Sequence, residues 1–190
     1  MSKCYQQVQL TINHDWTKTK SVVNNILSID RTKLEQESYG QSEHYSLKSL
    51  GVLSIHSLSN CWYRVVGPAV NKTMPWLTEL LDTMKELNPD DGAISYMIGN
   101  GGEHIDLPHM STALNYIFDN TDALAYTWVN NVGKETYSSD IGTAWILNTQ
   151  LPHGIVNNGN RWALSIHFDQ DYNTVAEWFN RHPNLIFGKI

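Results

Sequence analysis

A chain of 190 residues with 41% hydrophobic and 17% charged residues, 7 Trp and 9 Tyr has the balance of a single globular domain, which excludes a disordered or low-complexity protein. Its formal net charge is −6 at pH 7, with no basic stripe to offset it, so binding to a nucleic-acid backbone is not expected. Two widely separated cysteines, Cys4 and Cys61, give no disulfide framework, and no apolar leader or bilayer-length run is present, so the expectation is a cytoplasmic protein without membrane association.

The first half reads as mixed strand and helix. Tyr5 to Ile12 is expected as a strand and Trp16 to Leu27 as a helix capped by Asp15. Leu50 to His56 and Trp62 to Val66 are short strands. Pro75 to Leu87 carries the clearest helical pattern, with Pro75 in the first turn, Trp76, Leu80, Leu81, Met84 and Leu87 on one stripe, and Asn88-Pro89 as the stop.

From Ala93 the pattern changes to short strands: Ala93 to Ile98, Ser111 to Phe118, Leu124 to Val129, Thr143 to Leu147, Gly154 to Val156 and Arg161 to Phe168. Thr174 to Arg181 closes the chain as a helix that buries Val175, Trp178 and Phe179. So many short strands favour an α+β, mainly β fold, a double-stranded β-helix or cupin-like jelly-roll barrel with helices packed outside and a site in its mouth. Residues 1–92 would give helical and strand support, 93–168 the barrel core, and 169–190 the terminal helix and tail of one domain spanning 1–190.

Among those late strands lies His104-Ile105-Asp106. If Ile105 is extended, His104 and Asp106 project from the same face. His153 follows several strands later. Two imidazoles and a carboxylate on one side of a metal make a facial triad that leaves coordination positions open. Asn157, Asn158, Gly159 and Asn160 tolerate positive φ and read as the tight turn of a hairpin ending in the strand from Arg161. On that strand Trp162, Leu164, Ile166 and Phe168 share one face, while Arg161, Ala163, Ser165 and His167 share the other, the side where His153 can lie. A strand-initial Arg suits bidentate capture of a carboxylate. Gly99-Asn100-Gly101-Gly102, just before His104, reads as a loop that admits a ligand or simply as a turn.

Through these residues the stretch Ile94 to Phe168 resembles the Fe(II)- and 2-oxoglutarate-dependent oxygenases: His-any-Asp, a long gap, a second His, and a basic residue shortly after it. Ala113-Leu114-Asn115-Tyr116 and the run from Thr149 to Asn157 add to the likeness, which is nearest to small members grouped with aspartyl/asparaginyl and prolyl hydroxylases. The interval from His153 to Arg161 is slightly short for that family. The resemblance implies Fe(II) held by His104, Asp106 and His153, and 2-oxoglutarate anchored on Arg161. Tyr96, Asn115 and Ser165 are secondary candidates for hydrogen bonds to it. With O2, such an enzyme hydroxylates an unactivated carbon. The implied substrate is an amino-acid side chain in a protein or peptide, a free amino acid or another small molecule.

Other readings remain open at this level. His109 could complete a local cluster, but Pro108 bends the chain beside it. His14, His44, His56 and His182 have no acidic partner at strand spacing, and His167 reads as a hydrogen-bonded barrel histidine. A zinc-dependent hydrolase could use the same ligands with Glu103 as its base, although Glu103 alternates away from His104. A noncatalytic jelly-roll binding module is the remaining alternative.

Overall fold

A computed structural model of the chain describes residues 4–30, 32, 35–39, 42–47, 52–58, 62–129, 133–157 and 159–188. The first half contains β1 (Tyr5–Val8), β2 (Leu10–Ile12), α1 (Trp16–Leu27), β3 (Glu35–Tyr39), β4 (Ser42–Leu47), β5 (Val52–Leu58), β6 (Trp62–Val66), α2 (Pro68–Asn71) and α3 (Leu77–Thr83). The second half contains β7 (Ala93–Ile98), β8 (Gly101–His104), β9 (Thr112–Asn120), β10 (Ala123–Val129), β11 (Gly133–Tyr137), β12 (Ala144–Asn148), β13 (His153–Asn157), β14 (Asn160–Phe168), α4 (Tyr172–Arg181) and β15 (Leu185–Phe187).

The strands form a long antiparallel sheet in the order β1-β12-β9-β14-β7-β6-β5-β4-β3 and a short antiparallel sheet in the order β11-β10-β13-β8. A small parallel pair joins β15 to β2. One face of the long sheet is apolar because alternate residues of β9 and β14 are: Leu114, Tyr116 and Phe118 on the first, Trp162, Leu164, Ile166 and Phe168 on the second. Against it pack Val23 and Ile26 of α1, Leu77 and Leu80 of α3, and Val175, Trp178 and Phe179 of α4. Leu80 and Ile166 are fully buried, and each such side chain is worth about 1.5–3 kcal/mol of hydrophobic stabilisation. The other face of the long sheet turns toward the short sheet, with a smaller apolar cluster of Ala125, Tyr137 and Leu147 between them.

The helix ends follow their sequence signals. Asp15 accepts from the Thr17 N–H at 3.0 Å, and Asp171 accepts from the Asn173 and Thr174 N–H groups at 2.9 and 3.2 Å, which starts α4 at Tyr172. Pro75 to Leu87 is regular helix only over α3. Met84 leaves helical geometry at φ −96 and ψ 9, Lys85–Leu87 form a 3-10 turn, and Asn88 at φ 51 ends it. No described helix is long and apolar enough to cross a membrane.

Several strand expectations change. Tyr5 to Ile12 is two strands: β1 joins β12 in the long sheet, whereas β2 joins β15, and the Gln9 carbonyl between them accepts from the Leu185 N–H at 3.1 Å. Residues 50 and 51 of the expected strand from Leu50 lie outside the described residues, and the strand is seen as β5. The hairpin expected around Asn157 to Asn160 does not form. β13 pairs with β10 and β8, while β14 pairs with β9 and β7, so this turn carries the chain from one sheet to the other. Gly159 makes the passage possible, since a Cβ there would stand 2.1 Å from the Thr121 carbonyl oxygen. Asn158 lies outside the described residues.

Candidate functional site

The two histidines arrive together because β8 and β13 are antiparallel neighbours with His104 directly opposite His153. Such opposed residues bring their Cβ atoms to about 4.5–5.5 Å. Their ring centroids are 4.3 Å apart. Each Nδ1 lies 2.9 Å from the carbonyl oxygen two residues back, Gly102 for His104 and Leu151 for His153. An Nδ1–H donated to a carbonyl leaves Nε2 as the lone-pair atom, the arrangement that orients a metal-binding imidazole.

Asp106 does not share a strand with His104, as the alternation argument required. β8 ends at His104, and residues 105–107 are irregular. Asp106 is returned to the histidines by the turn between β12 and β13: its N–H donates to Thr149 O at 3.1 Å, and Gln150 Nε2 donates to Leu107 O at 3.3 Å. The Thr149 hydroxyl, bonded to Met110 O, braces the same segment. Asp106 Oδ1 then lies 3.5 Å from His104 Nε2, and Oδ2 lies 3.8 Å from His153 Nε2.

The donor atoms of His104, Asp106 and His153 all fall within 4.8 Å of one another. His104 Nε2 is buried and has no hydrogen-bond partner. Burial pushes the His153 imidazole below its ordinary pKa, against the Asp106 charge, and so favours the neutral ring that binds metals. A divalent transition metal fits this two-nitrogen, one-oxygen set and would satisfy the orphaned nitrogen.

The cleft around these groups lies between the two sheets, is open on one side, and is lined by residues of both, among them Trp62, Asn115, Tyr137 and Arg161. Arg161, at the start of β14, lines it, is 6% exposed and has no hydrogen-bond partner on Nε. No carboxylate among the described residues forms an ion pair with it. Burial lowers its pKa to about 10 despite the nearby Tyr137 hydroxyl. Burial also pushes Tyr137 up to about 12, with Arg161 acting in the opposite direction. A buried cation without a counter-ion is unfavourable until an anion reaches it.

Ser165 and Asn115 also line the cleft, joined by a 2.6 Å hydrogen bond from Ser165 Oγ to Asn115 Oδ1, and Ser95 Oγ donates to Ser165 Oγ at 2.8 Å. Tyr96 does not join them. Ser95 and Met97 face the cleft, so strand alternation turns Tyr96 to the opposite side, where its ring stacks on Trp162 at 4.1 Å. His109 sits exposed in a turn away from the cleft. Glu103 is bonded to Trp128 Nε1 and to Lys134 at 3.2 Å on the outer side of the short sheet, so it offers no base beside the histidines.

Sequence reasoning missed Tyr137, Ser95 and Trp62, and understated His167. The Trp62 ring stands 5.1 Å from that of His104 at the cleft wall. Ser95 could have been found from the parity of β7 once its apolar face was assigned. Tyr137 had no signal, because Gly133–Tyr137 is too polar to read as a strand.

No protein-family model and no curated protein matches the sequence. Solved structures match in fold. A prolyl hydroxylase from Trichoplax adhaerens, in complex with a hypoxia inducible factor oxygen degradation domain peptide fragment, is 10% identical with a TM-score of 0.51, over 88% of this chain and 84% of that one. A protein from Shewanella oneidensis, provisionally described as an oxygenase, is 9% identical with a TM-score of 0.51, over 94% and 90% of the two chains. At these identities the likeness is one of fold, and it spans nearly the whole of the chain.

Proposed function

We propose that the chain is an Fe(II)- and 2-oxoglutarate-dependent oxygenase built on a double-stranded β-helix, with residues 1–190 as one catalytic domain. The observation that carries this reading is the meeting of the His104, Asp106 and His153 donor atoms within 4.8 Å, in the cleft that also holds the buried Arg161. His104, Asp106 and His153 hold iron from one side and leave the remaining positions to ligands. With 2-oxoglutarate and O2, bound iron supplies the oxidising power that converts an unactivated C–H bond to an alcohol.

The chain's own residues bind, orient and exclude. Arg161 takes the far carboxylate of 2-oxoglutarate through its guanidinium fork, and Tyr137 beside it adds a hydroxyl. Ser165 and Asn115 present a polar wall along the same strands. These groups sit between the two sheets, and where bound ligands displace water the ionic contacts in the cleft strengthen. Trp62 bounds the mouth next to His104, where the target carbon must sit.

An amino-acid side chain in a peptide or protein is the favoured substrate, with a free amino acid or other small molecule in the same chemical range. The peptide bound to the Trichoplax hydroxylase supports that order, and the net charge of −6 argues against nucleic acid. A zinc-dependent hydrolase is disfavoured because Glu103 is engaged elsewhere. The reading keeps the protein in the cytoplasm, in line with its two widely separated cysteines.

Anaerobic titration with Fe(II) and 2-oxoglutarate tests the reading through the metal-to-ligand charge-transfer band. The parent should develop the band, and His104→Ala, Asp106→Ala and His153→Ala should not. A full band in all three variants would sink the assignment.

A further inference from the structure

Behind Asp106 stands a second layer of polar groups that the three ligands do not use. His167, on β14, is 5% exposed and lies on the same face as Arg161 and Ser165. Its Nε2 is 3.8 Å from Asp106 Oδ2, as far as His153 Nε2 is from that same oxygen. Its other nitrogen differs from those of His104 and His153. Instead of a carbonyl two residues back, Nδ1 meets Asp90 Oδ2 at 3.3 Å.

Asp90 and His167 are also locked together through the backbone. The His167 N–H donates to Asp90 Oδ1 at 3.1 Å, and the Asp90 N–H donates to His167 O at 2.8 Å. Asp90 is fixed in turn by Arg64 Nη2 and by the Gly92 N–H at 3.0 Å. The imidazole is therefore wedged between two carboxylates, one anchored at several points and the other a metal-ligand candidate. This anchored ring stands 3.8 Å from a carboxylate whose own backbone lies in an irregular segment.

We infer that His167 is a positioning residue for Asp106, holding Oδ2 from behind so that the carboxylate keeps its place beside both inner imidazoles. The inference rests on the reading of His104, Asp106 and His153 as iron ligands. A ligand role for His167 itself is disfavoured, because the three donors converge within 4.8 Å without it. Asp90 and Arg64 then act one step further out, as the anchor of the ring. Outer partners of this kind are commonly worth about 10–100-fold in metal affinity.

The test is a double-mutant cycle on the full chain, read as Co(II) affinity and Co(II) ligand-field spectrum without 2-oxoglutarate or substrate. His167→Phe keeps the bulk of the ring and removes its nitrogens. It should weaken Co(II) binding by about 10–100-fold and alter the spectrum. His167→Gln, which keeps a donor at similar reach, should recover part of that loss. In an Asp106→Ala background the change at 167 should have no further effect, since the residue acts through Asp106.

Parent-like Co(II) affinity in folded His167→Phe, a glutamine variant no better than phenylalanine, or an undiminished loss in the Asp106→Ala background would each overturn the inference. Near-UV circular dichroism checks folding. If His167→Phe does not fold, His167→Gln against the shorter His167→Asn carries the same comparison, and equal affinities overturn the inference. Parent-like Co(II) binding by both His104→Ala and Asp106→Ala would instead defeat the underlying ligand assignment, so the two failures are distinguishable.

Discussion

Along β14 the side chains facing the helices, Trp162, Leu164, Ile166 and Phe168, are between 0% and 4% exposed, and those facing the cleft, Arg161, Ser165 and His167, between 3% and 6%. Burial is nearly the same on both sides of one strand, and the chemistry is opposite. On the helix side these four side chains join one apolar cluster with α1, α3 and α4, and the buried polar atoms left there without a partner are neutral ones, Trp76 Nε1, Trp178 Nε1 and the Tyr172 hydroxyl. On the cleft side a guanidinium has no counter-ion among the described residues, Nε2 of nearby His104 has no hydrogen-bond partner among them, and His167 is gripped by Asp90. The difference teaches that a site is marked by the kind of polar group left waiting and by where it faces: a cation and a metal-binding nitrogen turned into one cleft, as against isolated neutral groups scattered in the core.

The sharpest way to break this comparison is to remove a ligand. His153→Ala should abolish Fe(II) binding and turnover, a loss exceeding the ~10–100-fold typical of outer partners, while the melting temperature of the metal-free protein stays close to the parent's. Anaerobic titration and calorimetry measure the two effects on the same sample. A large fall in melting temperature with intact iron binding would place His153 in the core class.

The opposite outcome is expected one layer away. Ile166→Ala should destabilise the fold by about 2–5 kcal/mol, read from urea denaturation, and the folded fraction should keep its iron affinity. Arg161 sharpens the contrast because it is as buried as the core residues and yet carries a charge. Arg161→Met should leave the ligand-free protein as stable as the parent or more stable by about 1–4 kcal/mol, and should remove the rise in melting temperature that 2-oxoglutarate gives the parent. Arg161→Lys, which keeps the charge without the fork, should fall between them in 2-oxoglutarate affinity.

The smallest effect concerns pH. Burial acts to raise the Asp90 carboxyl, but the His167 hydrogen bond and the Arg64 charge outweigh it and bring the pKa down from 3.8 to about 2. A carboxyl whose pKa is lower folded than unfolded stabilises the protein above its unfolded value and loses that contribution as pH falls through its folded value. Part of the stability should therefore disappear between about pH 4 and pH 2. Denaturation curves across that window should be flatter for Asp90→Asn than for the parent.

What could be read in the sequence was whatever follows a local period. The two faces of β14 lie where alternation puts them, and of the stripe Trp76, Leu80, Leu81, Met84 and Leu87 all but the partly buried Leu81 are core residues, although the α-helix itself covers only Leu77–Thr83. That His104, Asp106, His153 and Arg161 belong in one place was visible from residue type and order, and they do line one cleft, although the route was not visible. Asp106 reaches the histidines through Thr149, a hydrogen bond across more than forty positions that no local pattern encodes. Tyr96 was misplaced by one step of parity, and a single step moves a side chain through the sheet. The pairing of Asp90 with His167 depends on the Pro89 to Phe168 bridge, again a product of tertiary packing.

Gly159 has one more consequence. Because a Cβ there would collide with the Thr121 carbonyl, and because the Thr121 N–H donates to Asn160 O at 2.7 Å, the crossing from β13 to β14 is pinned against a neighbouring loop. It behaves as a spacer of set length between the donor at His153 and the cation at Arg161. An added residue at 159 or beside it would have to displace the Thr121 backbone before the His153 to Arg161 separation could change. On the proposed function, the length of dicarboxylate that fits is then set by the reach of the side chain at position 161.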